Sequence, residues 1–238
     1  MKNWQKFLGS LIFLGVLMMA GSSSGGEKIA LPSPNTKGEV SVEEALLQRR
    51  SVRSFLDNAL SLRELSQLLF SAQGITEEIR GFRTAPLAGA LYPLVVYVVV
   101  GRVEELAPGV YRYHTRGHTI EKLLEGDKRE RLCQAALSQE AIREAPLSLV
   151  IAAIYNKTTV KYGERGIRYV HIEVGHAAQN VYLQAGALGL GTVAIGAFYD
   201  KEVSRELSLP AEEVPLYIMP VGKVSLTQSF LNVPIRNQ

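Results

Sequence analysis

The sequence predicts an α+β fold, and three observations carry that prediction. Leu94–Val100 is a continuous apolar run rich in β-branched residues, as a central strand is, and residues 147–154 read as another buried strand. Val170, Val174, Ala177, Ala178, Val181, Ala185 and Leu188 recur at steps of three and four, the period of a helix. Strand and helix patterns follow one another without regular βαβ alternation, which argues for mixed layers rather than a doubly wound parallel sheet.

The front of the chain stands apart. Lys2 and Lys6 precede residues 7–20, which are all apolar or small, and this pattern fits a signal peptide or an N-terminal membrane anchor over residues 1–20. The run is short for a spanning helix, which needs about 20 residues. The two lysines should stay in the cytoplasm, placing the rest outside it, secreted or membrane-anchored. The chain is cytoplasmic if the apolar segment is no export signal. Residues 21–40, with Pro32, Pro34 and several Gly and Ser, read as a flexible linker. Residues 41–238 read as one domain, and with 47% hydrophobic residues in the 238-residue chain it can fill a substantial core. A net charge of +3 is too small to point to nucleic acid, and one cysteine, Cys133, allows no internal disulfide.

From residue 41 the elements follow in order. Ser41 and Glu44 form a capping-box pattern opening a helix to about Gln48. Ser61 and Glu64 repeat the pattern, and Leu62, Leu65, Leu68 and Leu69 share one face of the helix that Gly74 ends. Residues 75–85 look irregular, and residues 86–93 form a small-residue loop with proline at both ends. After the first apolar strand, residues 110–113 read as an edge strand turning at Gly117 into residues 119–124. Residues 127–144 read as a surface helix, and residues 156–166 as a polar loop before the central helix. That helix carries few charges even on its flanks, which suggests burial on most sides. Gly189 and Gly191 stop it; residues 192–195 read as a buried strand, and Gly196 and Ala197 as a turn whose backbone can lie against a flat ligand. A short helix at 203–207 and a strand at 216–221 complete the pattern.

Arg49, Arg50, Ser51 and Arg53 put three guanidiniums and a hydroxyl within five residues. Such density suits a phosphate; the alternative is a solvated basic helix end. Glu173 and His176 stand three apart on one helix face and read as a hydrogen-bonded interior pair. His114 and His118 straddle a glycine turn with no acid or cysteine close by, so no metal is expected there. No phosphate-binding P-loop, dinucleotide fingerprint or nucleophile elbow occurs.

Four stretches in order resemble the nitroreductase family of FMN proteins, and most closely its SagB-type, azoline-oxidase-like dehydrogenase branch. They are Arg49-Arg50-Ser51-Val52-Arg53-Ser54-Phe55, the run from Arg83 through Pro86, Leu87, Ala88 and Gly89 to Pro93, the run from Lys161 and Tyr162 to Tyr169, and the run from Glu173 to Asn180. The Gly-Leu-Gly stretch ending at Gly191 agrees. The resemblance covers roughly residues 41–224 and implies a sheet, mixed or antiparallel, flanked by helices, in a homodimer with FMN at its interface. It implies that Arg49, Arg50 and Ser51 hold the FMN phosphate and ribityl chain and that Arg53 approaches the pyrimidine edge. Pro86, Leu87, Ala88 and Gly89 would line the ring, from the same subunit or its partner. Ile195, Gly196 and Ala197 would run beside it, and Arg236 would close on the phosphate. Leu87 departs from the branch, which often has Ser there, putting one flavin hydrogen bond in question.

Lys161 and Tyr162 resemble the pair proposed as base and positioning group in azoline oxidation; read by themselves they are charges on a surface loop. The implied activity is hydride transfer through flavin N5, either NAD(P)H-driven reduction or oxidation of a small-molecule or peptide substrate. A flavin-binding or scaffold protein without turnover is the alternative.

Overall fold

A computed structural model describes residues 26 and 28–225. The apolar run 7–20 and Arg236 lie outside the described residues. Among the described residues no helix is long and apolar enough to cross a membrane.

The elements, in order, are β1 (Lys28–Ala30), α1 (Val42–Gln48), α2 (Leu62–Gln73), β2 (Ile75–Glu77), β3 (Phe82–Arg83), β4 (Leu94–Val100), β5 (Gly109–His114), β6 (Thr119–Glu125), α3 (Arg129–Ala135), α4 (Glu140–Glu144), β7 (Leu147–Ala153), α5 (Asn156–Tyr162), α6 (Arg165–Ala187), β8 (Leu190–Thr192), α7 (Asp200–Glu206) and β9 (Val214–Lys223). Seven strands form one sheet in the order β1-β6-β5-β4-β7-β9-β8, and every neighbouring pair is antiparallel. The fold is α+β, as the patterning predicts.

Alternation along the central strands divides the core. Val96, Val98, Leu149 and Ile151 face a cluster with Leu65 and Leu68 of α2 and Val170, Ala177 and Val181 of α6. Val95, Tyr97, Val99 and Val150 face a second cluster with Leu132, Ile142 and Val203, from α3, α4 and α7. Burial on both faces is why β4 reads as an unbroken apolar run and β7 as one interrupted only by Ser148. Each such side chain contributes about 1.5–3 kcal/mol relative to exposure. Both capping boxes form: Ser41 and Ser61 accept from the Glu44 and Glu64 amides at 3.1 and 3.2 Å, and each glutamate accepts in return from the cap amide.

Several expectations are corrected. The linker expected over residues 21–40 is ordered from Lys28: β1 pairs with β6, Leu31 is buried and donates to His118 at 3.1 Å, and Asn35 donates to Gln67 at 2.8 Å. The apolar side chains Ile29 and Leu31 bring β1 onto β6, and β5, expected as an edge, is an inner strand because it lies between β6 and β4. Residues 75–85 include the β2–β3 hairpin. Residues 127–144 form two helices, because Leu137 and Ser138 take φ of 58° and 55° between them. The strand expected at 192–195 is β8, and Ile195 makes only an isolated bridge to Ile218.

The polar loop expected at 156–166 is the helix α5. A Cβ on Gly166 would lie 2.9 Å from the Thr158 and Thr159 backbone, so that glycine lets α5 lie on the start of α6. α6 is not covered on most sides: one face is buried, while Ile167 and Ile172 are 43% and 48% exposed and Gly175 faces open space.

Candidate active site

The segment after α1 is laid along the sheet's last two strands. The Val52 amide donates to Thr192 and the Leu56 amide to Lys223, both at 2.9 Å. Two glycines permit this approach. A Cβ on Gly191 would stand 2.8 Å from the Val52 side chain, and one on Gly222 would stand 2.9 Å from Phe55.

Within this segment Arg49, Ser51 and a residue the sequence reading missed come together. The Tyr182 hydroxyl lies 3.0 Å from Ser51 Oγ and accepts the Ala194 amide at 2.8 Å. Its ring lies under the Arg49 guanidinium, with Cζ 5.3 Å from the ring centre. Tyr182 therefore ties the basic segment to the turn that follows β8. Arg50 turns back and donates to the Leu47 and Arg49 carbonyls, capping the end of α1. Arg53 is exposed beside them. In the turn, Ile195 is buried and bridged to Ile218, whereas Gly196 and Ala197 are exposed. Gln139 holds the Ala197 carbonyl at 2.9 Å. Among the described residues no acceptor takes the Gly196 or Ala197 amide.

A second group gathers around the 86–93 loop. Leu87 is extended, and Ala88 to Ala90 make a single 3-10 turn. Gly89, Ala90 and Tyr92 hold φ of 64°, 55° and 50°, a left-handed conformation that strains all but the glycine. α6 holds this loop. Glu173 accepts the Ala88 amide at 2.7 Å, His176 Nδ1 meets the Pro86 carbonyl at 3.1 Å, and Asn180 donates to the Thr84 carbonyl at 3.2 Å. Glu173 and His176 thus each fasten the loop, where a bond between the two was expected. Burial pushes the Glu173 carboxyl up, against the Ala88 amide and His176, and its Oε2 is buried without a partner.

Lys161 and Tyr162 reach the same loop from α5. A Cβ on Gly89 would meet Tyr162 Oη at 2.6 Å and Lys161 Nζ at 3.0 Å, so a side chain there would push the tips of the pair aside, and the φ of 64° itself favours glycine. Lys161 is exposed and Tyr162 half-buried, its ring edge-on to Tyr169.

The two histidines of the β5–β6 turn are structural here. His114 pairs with Glu121 at 2.7 Å, an acid the sequence reading did not place beside it, and His118 lies between Ser66 and Tyr113 at 2.7 and 2.8 Å.

The two groups sit at different places on α6. Glu173 and Tyr182 are nine residues apart, about 13 Å along the axis and about half a turn around it. Among the described residues no hydrogen bond joins the 86–89 loop to the Arg49–Tyr182 group.

Comparison with known proteins places this arrangement. The family model described as "Nitroreductase family" matches residues 46–223. A protein of Methanocaldococcus jannaschii named as a proposed nitroreductase is 50% identical over 198 residues, covering 83% of this chain and 98% of that protein. The microcin B17-processing protein McbC of Escherichia coli is 28% identical over 176 residues, 71% of this chain and 64% of McbC. Among solved structures, a proposed nitroreductase of Ralstonia eutropha superposes with a TM-score of 0.74 at 29% identity, covering 83% of this chain and 90% of that one.

Proposed function

Because the chain belongs to the nitroreductase family of flavin-dependent oxidoreductases, we propose that it binds FMN between two copies of itself and oxidises a small-molecule or peptide substrate. The observation that carries this reading is the Tyr182 hydroxyl, which brings Ser51 and the Ala194 turn to one point beside Arg49. The donors there fit the cofactor. A guanidinium and a hydroxyl suit its phosphate, and two exposed amides that no described acceptor takes, on Gly196 and Ala197, suit the edge of a flat ring.

FMN, when bound, supplies two-electron exchange at its ring N5. Arg49 and Ser51 bind the phosphate, and Arg50 holds the end of α1 so that they stay aligned. Arg53, exposed beside them, would hold the pyrimidine edge. The 86–89 loop, on the other side of α6, lines the ring of a second copy. Lys161 Nζ accepts the proton that the substrate releases, and Tyr162 Oη orients that substrate over Gly89. The placement of Lys161 and Tyr162 over Gly89 and a processing protein among the relatives, McbC, are the grounds for reading oxidation, while the name of the Methanocaldococcus jannaschii relative favours reduction.

The test is spectroscopic. Purified full-length protein should take up FMN, turn yellow and bleach with dithionite. Arg49→Ala combined with Ser51→Ala should weaken FMN binding about 100-fold, since charge-assisted hydrogen bonds contribute about 1.5–3 kcal/mol each. Unchanged occupancy would contradict the phosphate assignment. Lys161→Met should keep the colour and lose turnover. Bleaching by NADPH with no oxidisable substrate would move the assignment to reduction, and yellow protein inert to donors and substrates would make it a flavin carrier.

A further inference from the structure

Behind the 86–93 loop lies a cavity of about 430 Å³, between the end of α2, the start of β4 and the β5–β6 turn. Its lining includes Lys28, Arg83, Arg112, Arg116 and Lys157, and no aspartate or glutamate. Arg112 is neutralised by Glu213 at 2.6 Å. Arg83, Arg116 and Lys157 make no ion pair among the described residues. Three donors at this cavity are buried with nothing to bond. They are the Nε2 amide of Gln73, a residue 2% exposed, the Nε of Arg83 and the hydroxyl of Tyr92. Unsatisfied buried donors are costly, and three in one cationic cavity share one remedy, an acceptor carrying negative charge.

We propose that this cavity binds an oxyanion, a carboxylate or a phosphate. The Arg83 guanidinium is already fixed for the task. Nη1 donates to the Gln73 carbonyl at 3.0 Å, and Cζ lies 4.7 Å from the centre of the Tyr92 ring, while Nε has no partner. Burial pulls the Arg83 pKa down, with Tyr92 and Tyr113 opposing and the charge of Arg116 adding to it, so a bound anion would favour the charged guanidinium. Val96 and Tyr113, which share one face of the sheet, supply an apolar wall for the body of an organic anion. Lys157 donates to the Tyr92 carbonyl at 3.3 Å and stands one helical turn before Lys161, so the anion lies on the reverse of the loop that meets the candidate base. The cavity's chemistry stands whether or not flavin binds.

The experiment is calorimetric titration of the full-length protein, saturated with FMN where it takes FMN up, with phenyl phosphate, inorganic phosphate and uncharged phenol at low ionic strength. Phenyl phosphate should bind more tightly than phenol and weaken as salt is raised. Arg83→Gln and the exposed Arg116→Ser, which spares the Gln73 contact, should each weaken it about tenfold or more. Phenyl phosphate ahead of inorganic phosphate identifies an organic substrate or effector; equal affinities identify a free anion. Both support the site. Affinity no better than phenol, or unchanged in both variants, overturns it. Phosphate binding lost in Arg49→Ala with Ser51→Ala but kept in Arg83→Gln also overturns it, by placing the anion at the other cluster.

Discussion

Glu173 shows how one side chain sets the loop that carries much of the candidate chemistry. It is 2% exposed, one oxygen holds the Ala88 amide, and the other has no partner. Burial raises its pKa above the ordinary 4.5, so the folded state favours the protonated carboxyl. Its contribution to stability is therefore full at acid pH and is lost as pH rises through the raised value. Glu173→Gln keeps an acceptor for Ala88 and removes the charge. Urea unfolding at pH 5 and pH 8 should show a smaller loss of stability with rising pH in the variant; an unchanged loss would mean that other groups set it. Tyr182 acts at the same scale. Tyr182→Phe keeps the ring under Arg49 and removes the oxygen that meets Ser51 and Ala194. It should cost about 1–3 kcal/mol and weaken FMN binding, read by unfolding and by flavin titration.

At the scale of elements, the Arg-rich segment can lie on β8 and β9 only because glycines stand beneath it. A methyl at Gly191 would press on Val52 at 2.8 Å and on Val224 at 2.5 Å. Gly191→Ala should then cost about 1–3 kcal/mol, as overpacking does, and displace Arg49 and Ser51 together. Thermal unfolding and FMN titration should fall in parallel. A stable variant with full FMN affinity would show that the segment moves without consequence. The capping boxes and the strands β4 and β7 were legible because each follows from local pattern alone. α5 was not, since its polar composition reads as loop and its helix depends on packing over Gly166.

At the scale of the molecule, α6 leaves Ile167 and Ile172 about half exposed and Gly175 open, among the exposed Arg165, Arg168, His171 and His176. α1 adds Val42, Leu46 and Leu47, each more than half exposed. The exposed apolar side chains of α1 suit a partner surface, and the candidate flavin residues fall into two groups on opposite sides of α6, so the proposed two-copy site is tested by mass. Light scattering on a size-exclusion column should give the mass of two chains. Ile172→Glu should yield a folded single chain, by circular dichroism, with reduced FMN occupancy. A wild-type single chain that holds FMN would require all contacts from one copy.

The sequence by itself determined which stretches are strands and helices of the core, because burial on both faces, helical spacing and capping residues leave their mark on neighbouring positions. It also marked the basic segment, the glycine turn and the Lys161–Tyr162 pair by composition and resemblance. Only the tertiary structure decided that Tyr182 joins the first two, that Glu173 and His176 bind the loop instead of each other, and that Arg83 and Gln73 meet at a cationic cavity. Those contacts join residues far apart in the chain, where distance and direction depend on how the layers pack and no local pattern records them.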